Sequence, residues 1–315
     1  MSIAVKSQPT SFIASLILTC FIFNLSGTLS AFGHEPIDEV NTMIGTTGPS
    51  VYDYGGMIPG VAAPFGMTHW TAMTRENKIS VYSYKYSDQT IQGFLGTHQP
   101  AIWMGDYGYV SLMPSTGELK TSGKLPFSHR DEISAPNYYS VKMDDRGKPL
   151  KAELTATTRV GFLKFTFPAS QASHIVVTAI RSKQFTGFIQ INSKEQEITG
   201  YNPDRMSEEL GPPLPNFKGY FVIQFSKPFA SFGTWEDDSI HKGRTEQTGH
   251  RMGGYVTIPT TQGEMVEVKI GTSFISLDQA HENLKREIPD WNFDRVIFQR
   301  KSMARYAMDG LPADS

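Results

Sequence analysis

A short polar and aromatic stretch, residues 96–108 (GTHQPAIWMGDYG), carries the side chains best suited to chemistry. It brings together His98, Gln99, Trp103 and Asp106 among glycines and a proline, so it favours a loop over a helix or a core strand. An aromatic ring can cover the apolar C–H face of a pyranose, while imidazole, amide and carboxylate groups hydrogen-bond to its hydroxyls. The stretch therefore predicts part of a sugar-binding wall. The alternative is structural: Trp103 plugs the end of a sheet sandwich and Asp106 closes a turn.

Carboxylates are too common in the chain to identify a catalytic pair. Glycoside hydrolysis needs two carboxyl groups, about 6.5–9.5 Å apart in inverting enzymes and about 5–5.5 Å apart in retaining ones. The chain contains 31 Asp and Glu residues, and no spacing selects two of them. Asp53, Asp88 and Asp106 all lie in predicted loops, where a turn role is favoured. The sequence assigns no catalytic residue.

Signals for a metal or a cofactor are poor. His241 and His250 lie nine residues apart on a Gly-rich segment, which is typical of a solvated loop. EF-hand loops, His-Glu-x-x-His, phosphate-binding Gly loops and Gly-x-Ser-x-Gly are not found. We predict no metal and no cofactor in this chain.

Between about residue 40 and residue 276, apolar and polar residues alternate with a period of two. The elements that position these side chains are therefore expected to be strands. This pattern predicts half-buried antiparallel strands in a β-sandwich, and residues 174–180 (HIVVTAI) read as a central strand. The predicted core-facing residues are Leu163, Phe165, Phe167, Phe221, Ile223, Phe225, Val266, Val268 and Ile270. Residues 144–147 (DDRG) and 260–263 (TTQG) predict hairpin turns.

The pattern changes to helical at Ser276. Ser276 and Gln279 form a plausible capping box, and Ala280, Leu284 and Ile288 follow at four-residue spacing before Pro289. A second helix is predicted over residues 294–307. The first helix either packs back on the sandwich or leads into another domain.

Net charge and the N-terminal residues indicate which classes of partner and which location to expect. The formal net charge is −2, which gives no basic field for nucleic acid. Residues 12–25 form an apolar run followed by small residues, which predicts a signal peptide cut near Ala31 and export to the periplasm or the medium. The run is shorter than the roughly 20 residues of a membrane span, the alternative reading. Cys20, the one cysteine, lies within it, so the mature protein would have no disulfide and no membrane segment.

Six ordered blocks resemble glycoside hydrolase family 92. They are residues 40–46 (VNTMIGT), 57–67 (MIPGVAAPFGM), 84–94 (YKYSDQTIQGF), 96–105 (GTHQPAIWMG), 154–161 (LTATTRVG) and 270–276 (IGTSFIS). The resemblance spans about residues 40–295.

The resemblance implies an exported, calcium-dependent, inverting exo-α-mannosidase. Such enzymes combine an N-terminal β-supersandwich of the galactose-mutarotase type, linking helices and a C-terminal (α/α)₆ barrel. The barrel supplies the acid, the base and the calcium ligands, while the sandwich supplies a pocket wall where His98, Gln99, Trp103 and Asp106 would fall. The sequence HQPAIWM replaces the His-Thr-His-Leu form of many members, which leaves the substrate linkage open.

The resemblance implies a definite domain order. Residues 1–31 are expected to be the signal peptide, 36–275 the supersandwich, 276–300 a helical linker and 301–315 a divergent tail. No residue matches the catalytic acid, the base or a calcium ligand, so the barrel is expected to be absent and calcium to accompany only the barrel. Three readings stay open: an inactive part of a mannosidase that contacts mannose-containing glycans, a stand-alone carbohydrate-binding module, and a docking partner for a separately encoded barrel.

Overall fold

Alternating apolar and polar residues build two antiparallel sheets, as predicted. The computed structural model describes residues 36–48, 56–206 and 214–309, with side chains to Ser302. The predicted signal peptide, Cys20, Asp53 and residues 310–315 lie outside the described residues. The seven-stranded sheet is ordered β1 (His69–Met73), β3 (Gly93–Thr97), β4 (Val110–Thr116), β9 (Ser170–Ile180), β16 (Met252–Thr260), β13 (Ser231–Glu236) and β14 (Ser239–Lys242).

The second sheet has ten strands and carries the helices on its outer face. Its order is β15 (Glu246–Gly249), β10 (Gly187–Asn192), β11 (Glu197–Asn202), β12 (Gly219–Phe225), β17 (Glu264–Ser273), β8 (Val160–Phe167), β7 (Lys148–Ala156), β6 (Tyr138–Asp145), β5 (Leu125–Ala135) and β2 (Thr90–Ile91). The predicted inward residues of β8, β12 and β17 are all buried. Residues 174–180 belong to β9, the middle strand of the first sheet, which confirms that prediction.

Trp70 fixes the spacing between strands near one end of the sandwich. Its side chain is fully buried, and its ring lies against Gly96 of β3 and Gly161 of β8. A Cβ at Gly96 would lie 2.8 Å from the ring, and a Cβ at Gly161 would clash with it directly. Glycine at both positions therefore lets an indole occupy the space between the two sheets.

One of the two predicted hairpin turns is correct. Residues 144–147 join the paired strands β6 and β7, with Arg146 at φ 59° and Gly147 at φ 79°. Residues 260–263 do form a turn, with Gly263 at φ 77°, but this turn is not a hairpin. It leads from β16 in the seven-stranded sheet to β17 in the ten-stranded sheet, so the two strands are not paired with each other.

Helix α1 (Leu277–Glu287) packs back on the ten-stranded sheet. The Ser276 side chain accepts a hydrogen bond from Gln279 N at 3.0 Å, as a cap should. The Gln279 amide instead donates to Asn283 at 3.0 Å, so only half of the predicted capping box forms. Ala280, Leu284 and Ile288 are buried against Val160, Phe162 and Val222.

Helix α2 (Phe293–Asp309) and the segment that joins it to α1 continue this cover and bury part of a sheet face predicted to be polar. Lys269 is only 3% exposed: its Nζ donates to the carbonyl of Ile288 at 3.2 Å and lies 4.3 Å from the Trp291 ring centroid. Burial accordingly lowers the pKa of Lys269. Lys164 sits in the same way over Phe293, at 4.3 Å. None of the helices in the described part of the chain is long and apolar enough to span a bilayer.

The packing of helix α1 on the ten-stranded sheet is expected to contribute to the free energy of unfolding. Leu284→Ala removes a buried side chain from this contact and should lower the free energy of unfolding by about 2–5 kcal/mol. The neighbouring exposed Lys285→Ala is the matched control and should change it by less than about 0.5 kcal/mol. Urea denaturation followed by tryptophan fluorescence measures both. Equal stability of the two variants would contradict the packing described.

Candidate functional site

The predicted sugar-binding stretch is the connection between β3 and β4, called here the β3–β4 loop (residues 98–109). Asp106 organises this loop from its centre and is fully buried. Its Oδ1 accepts hydrogen bonds from the backbone N–H groups of His98 and Tyr107, at 2.8 and 2.9 Å. Its Oδ2 accepts from the Asn77 side chain at 2.7 Å, and Asn77 in turn accepts from Arg181 at 2.6 Å. The buried carboxylate is thus compensated on both oxygens, as such groups must be.

Gln99 closes the tip of the loop. Its Nε2 donates to the carbonyl of Met104 at 2.6 Å and lies 3.4 Å from the carbonyls of Lys78 and Ile102. The side chain is 7% exposed. These bonds tie residues 102–104 to the start of the loop and to the neighbouring segment at Lys78.

His98 connects the loop to two other segments at the same end of the sandwich. Its Nδ1 donates to the carbonyl of Tyr107 at 2.9 Å, which leaves Nε2, 2.9 Å from the Thr68 hydroxyl, as an acceptor. The imidazole also packs edge-on against Phe274, with ring centroids 4.7 Å apart. Burial lowers the pKa of His98, partly opposed by the Asp106 carboxylate, which favours the neutral ring.

Trp103 differs from the other three predicted residues because its side chain is 67% exposed. It therefore does not plug the end of the sandwich. The loop is held rigidly by Asp106, Gln99 and His98 and presents one large aromatic surface to solvent. Such a surface is what a pyranose C–H face requires. Contact of the four side chains with a sugar stays a prediction.

Four of the sequence blocks meet at this end of the molecule. The Met67 N–H donates to the Thr158 carbonyl at 2.8 Å, and the Thr272 N–H donates to the Arg159 carbonyl at 3.0 Å. The Thr68 hydroxyl lies 2.7 Å from that of Thr272 as well as beside His98. The blocks at residues 57–67, 96–105, 154–161 and 270–276 thereby form one surface, called here the loop end.

A cavity of about 620 Å³ opens on the loop end beside helix α1. Arg159 and Glu287 form an ion pair in its wall at 2.9 Å, and Glu287 also accepts from the Arg159 backbone N–H at 2.9 Å. Phe274, the ring that contacts His98, lines the same cavity. The sequence analysis did not single out these residues. Arg159 and Phe274 lie inside the family-like blocks at residues 154–161 and 270–276, and membership of these blocks is the sequence signal that could have identified them.

Large apolar side chains project from the loop end into solvent. Phe65 is fully exposed and has a left-handed backbone, φ 58°, which is unusual for an aromatic residue. Ile275, just after β17, is 75% exposed. Exposed apolar groups of this size are typical of a surface that binds another molecule or domain.

Asp88, His241 of β14 and His250, which lies between β15 and β16, do not join this site. Asp88 pairs with Arg75, whose Nε lies 2.8 Å away, and accepts from the Thr74 hydroxyl at 2.7 Å. His250 Nδ1 lies 2.9 Å from the Phe185 carbonyl. Over residues 36–48, 56–206 and 214–309, no three His, Cys, Asp or Glu side chains converge as metal ligands would.

Comparison with known proteins assigns the family. The family model for the glycosyl hydrolase family 92 N-terminal domain matches residues 39–273. The chain belongs to glycoside hydrolase family 92. The match covers both sheets and ends at the last residue of β17, so the family resemblance predicted from the six blocks is confirmed.

Solved structures of family 92 agree with this assignment. An inverting mannosidase from Bacteroides thetaiotaomicron is 30% identical with a TM-score of 0.80, covering 87% of this chain and 36% of that one. An α-mannosidase from the same bacterium is 26% identical with a TM-score of 0.74, covering 89% and 39%. The predicted fold, the N-terminal β-sandwich of these enzymes with a short C-terminal helix pair, is thereby confirmed.

A curated relative agrees as well. An uncharacterized secreted glycosidase from Arthroderma benhamiae is 22% identical over 304 residues, covering 86% of this chain and 38% of that protein. The chain spans about two fifths or less of the length of all three relatives.

The loop architecture predicts different effects for Asp106 and Trp103. Asp106→Asn keeps the size of the side chain but places an amide where a carboxylate accepts three hydrogen bonds. The free energy of unfolding should therefore fall by about 1–3 kcal/mol. Trp103→Ala, in the same loop, should change stability by less than about 0.5 kcal/mol because the ring is mostly exposed. Chemical denaturation monitored by circular dichroism measures both. A larger loss for Trp103→Ala than for Asp106→Asn would overturn the assignment of roles.

Proposed function

We propose that this chain is the N-terminal, carbohydrate-contacting part of an exported α-mannosidase that acts on mannose-containing glycans. In this proposal the β3–β4 loop is one wall of the mannose pocket. The observation that carries it is the exposure of Trp103 on a loop that buried hydrogen bonds hold rigid. Family membership and the two mannosidases among its structural relatives support the choice of sugar.

The roles of the four predicted residues divide in this proposal. Trp103 stacks on the sugar ring, because its face is free. His98, Gln99 and Asp106 hold the loop through their internal bonds; His98 and Gln99 offer a ligand only their small exposed edges, and the fully buried Asp106 acts through the loop that it holds. The cavity beside Arg159 and Glu287 extends the same wall with a cation, a carboxylate and an aromatic ring.

Hydrolysis in this proposal is completed by an (α/α)₆ barrel. The barrel supplies the general acid, the general base and a calcium ion, and the exposed Phe65 and Ile275 of the loop end pack against it. A polypeptide limited to the 315 residues is then inactive by itself, because inversion needs two carboxyl groups placed on either side of the bond. Export follows from the apolar N-terminal run and agrees with the secreted relative.

An activity and binding test addresses the proposal directly. The purified 315-residue chain should release no mannose from α-mannobiose, yet should bind mannose with a Kd near 1 mM, about −4 kcal/mol, since only half of a pocket is present. Trp103→Ala should abolish the heat of binding in calorimetric titration. Mannose release by the chain, or binding that survives in Trp103→Ala, would contradict the proposal.

The alternative functions are a stand-alone binding module and a docking partner for a separately encoded barrel. The exposed Phe65 favours docking, because a free module gains nothing from a strained and solvated aromatic ring.

The docking role has its own test. When the chain is co-expressed with a tagged family 92 barrel, the two should co-purify, and Phe65→Asp together with Ile275→Asp should reduce recovery at least tenfold. Ile133→Asp, at an exposed apolar residue of β5, is the matched control and should leave recovery unchanged. Equal recovery of the loop-end variant and the wild type would argue against docking at this surface.

A further inference from the structure

The outer face of the seven-stranded sheet carries a second groove, formed over β4 and β9. Val110 and Leu112 of β4 point into the core between the sheets, so Ser111 and Ser115 face the opposite way. Thr178 of β9 lies directly across from Ser111 in the register. The floor of the groove therefore combines the hydroxyl groups of these residues with the apolar side chains of Met113 and Val176, which pair in the same two strands.

Two cavities in this face form one continuous groove. Their volumes are about 360 and 210 Å³, and they share Gln92, Ser111, Thr178 and the loop residues Thr121, Ser122 and Gly123. The larger one falls in the size range of small-ligand sites, about 300–1,000 Å³. None of the four predicted sugar-binding residues lines either cavity, so the groove is separate from the β3–β4 loop.

The rim of the groove is the loop after β4, and buried groups fix its base. The Thr116 N–H donates to the buried Asp145 carboxylate at 2.5 Å. His174 Nε2 donates to the Gly117 carbonyl at 2.8 Å, while its Nδ1 lies 3.0 Å from the Thr257 hydroxyl. Burial lowers the pKa of His174, which keeps this neutral arrangement. The groove is thus built before any ligand binds, which reduces the entropic cost of binding.

The charges around the groove are numerous but balanced. Six acidic and six basic side chains line the two cavities. Several are already paired, with Lys120 3.9 Å from Glu118 and Arg251 3.2 Å from Asp237. A balanced and paired rim gives no field that would attract a polyanion or a polycation. It does give many hydrogen-bond donors and acceptors to a neutral polyhydroxyl ligand.

One aromatic residue completes the groove. Trp235 of β13 lines the smaller cavity, and its Nε1 donates to the Val177 carbonyl at 3.1 Å, which fixes the ring in the sheet face. Only 6% of the Trp235 side chain is exposed, so the indole adds a small apolar contact at one end of the groove.

We propose that this groove is a second carbohydrate site that holds a neutral polysaccharide chain, independently of the mannose wall at the loop end. Such a site would keep the protein on a glycan while the loop end contacts terminal mannose. The ligand class follows from the mixed hydroxyl and apolar floor, the balanced rim and the indole at one end. The proposal does not rest on the function proposed for the loop end.

Affinity electrophoresis of the full chain tests the groove. Gels containing soluble mannan, neutral dextran or anionic polygalacturonate are compared with a gel without polysaccharide. A neutral polysaccharide should retard the wild type, whereas polygalacturonate should not. Thr178→Tyr fills the groove and should weaken retardation at least tenfold, while Thr166→Tyr, at a similarly half-exposed position of β8, should not. In the dextran gel, which offers no mannose to the loop end, Trp103→Ala should retain full retardation.

Each opposing result has a definite meaning. Absence of retardation by every neutral polysaccharide, or preference for polygalacturonate, overturns the proposal. So does full retardation of Thr178→Tyr with loss in Trp103→Ala, which would assign the binding to the loop end alone. Because Thr178 lies within a sheet, Ser122→Trp on the exposed rim provides a second blocking variant that requires no space between strands. It should weaken retardation as Thr178→Tyr does.

Discussion

The ring of Trp70 lies between two glycines that belong to different sheets, and the loop end depends on this contact. Gly96 is the second-last residue of β3, next to the β3–β4 loop, and Gly161 is the second residue of β8, shortly after Arg159. An indole held against both backbones sets how closely β3 and β8 approach. This spacing in turn lets Thr68, His98 and Thr272 reach one another across the end of the sandwich. A side chain at either glycine would push these segments apart.

In the β3–β4 loop, the residues that hold the backbone rigid differ from the residue proposed to contact a sugar. The Asp106 carboxylate accepts hydrogen bonds from the loop's own N–H groups and from Asn77, and the Gln99 side-chain amide donates to backbone carbonyls. These buried bonds cost nothing further when a ligand arrives, because they are already made. The loop can therefore keep an exposed tryptophan in one place, which a flexible loop could do only at an entropic cost.

Local patterns in the sequence were enough for the strands, the helix face and the candidate loop. Periodicity located β8, β12 and β17, a continuous apolar run located β9, and the glycines and proline marked residues 96–108 as a loop. The partners of the loop residues in other segments were not predictable, because Asn77 and Thr68 are brought to them only by sheet topology. Lys269 was predicted on a polar face and is buried, since the helix that covers it contacts the sheet from a later part of the chain. The turn at residues 260–263 has the chemistry of a hairpin, and only the pairing of its strands shows that it crosses between sheets.

The central claim is that the loop end of this family 92 sandwich contacts mannose through the β3–β4 loop. Titration of the isotope-labelled protein with mannose, followed by backbone amide NMR, tests it most directly. The account predicts shifts at Trp103 and its neighbours and at Phe274 and Ile275. Shifts confined to other surfaces, or none at saturating sugar, would contradict it.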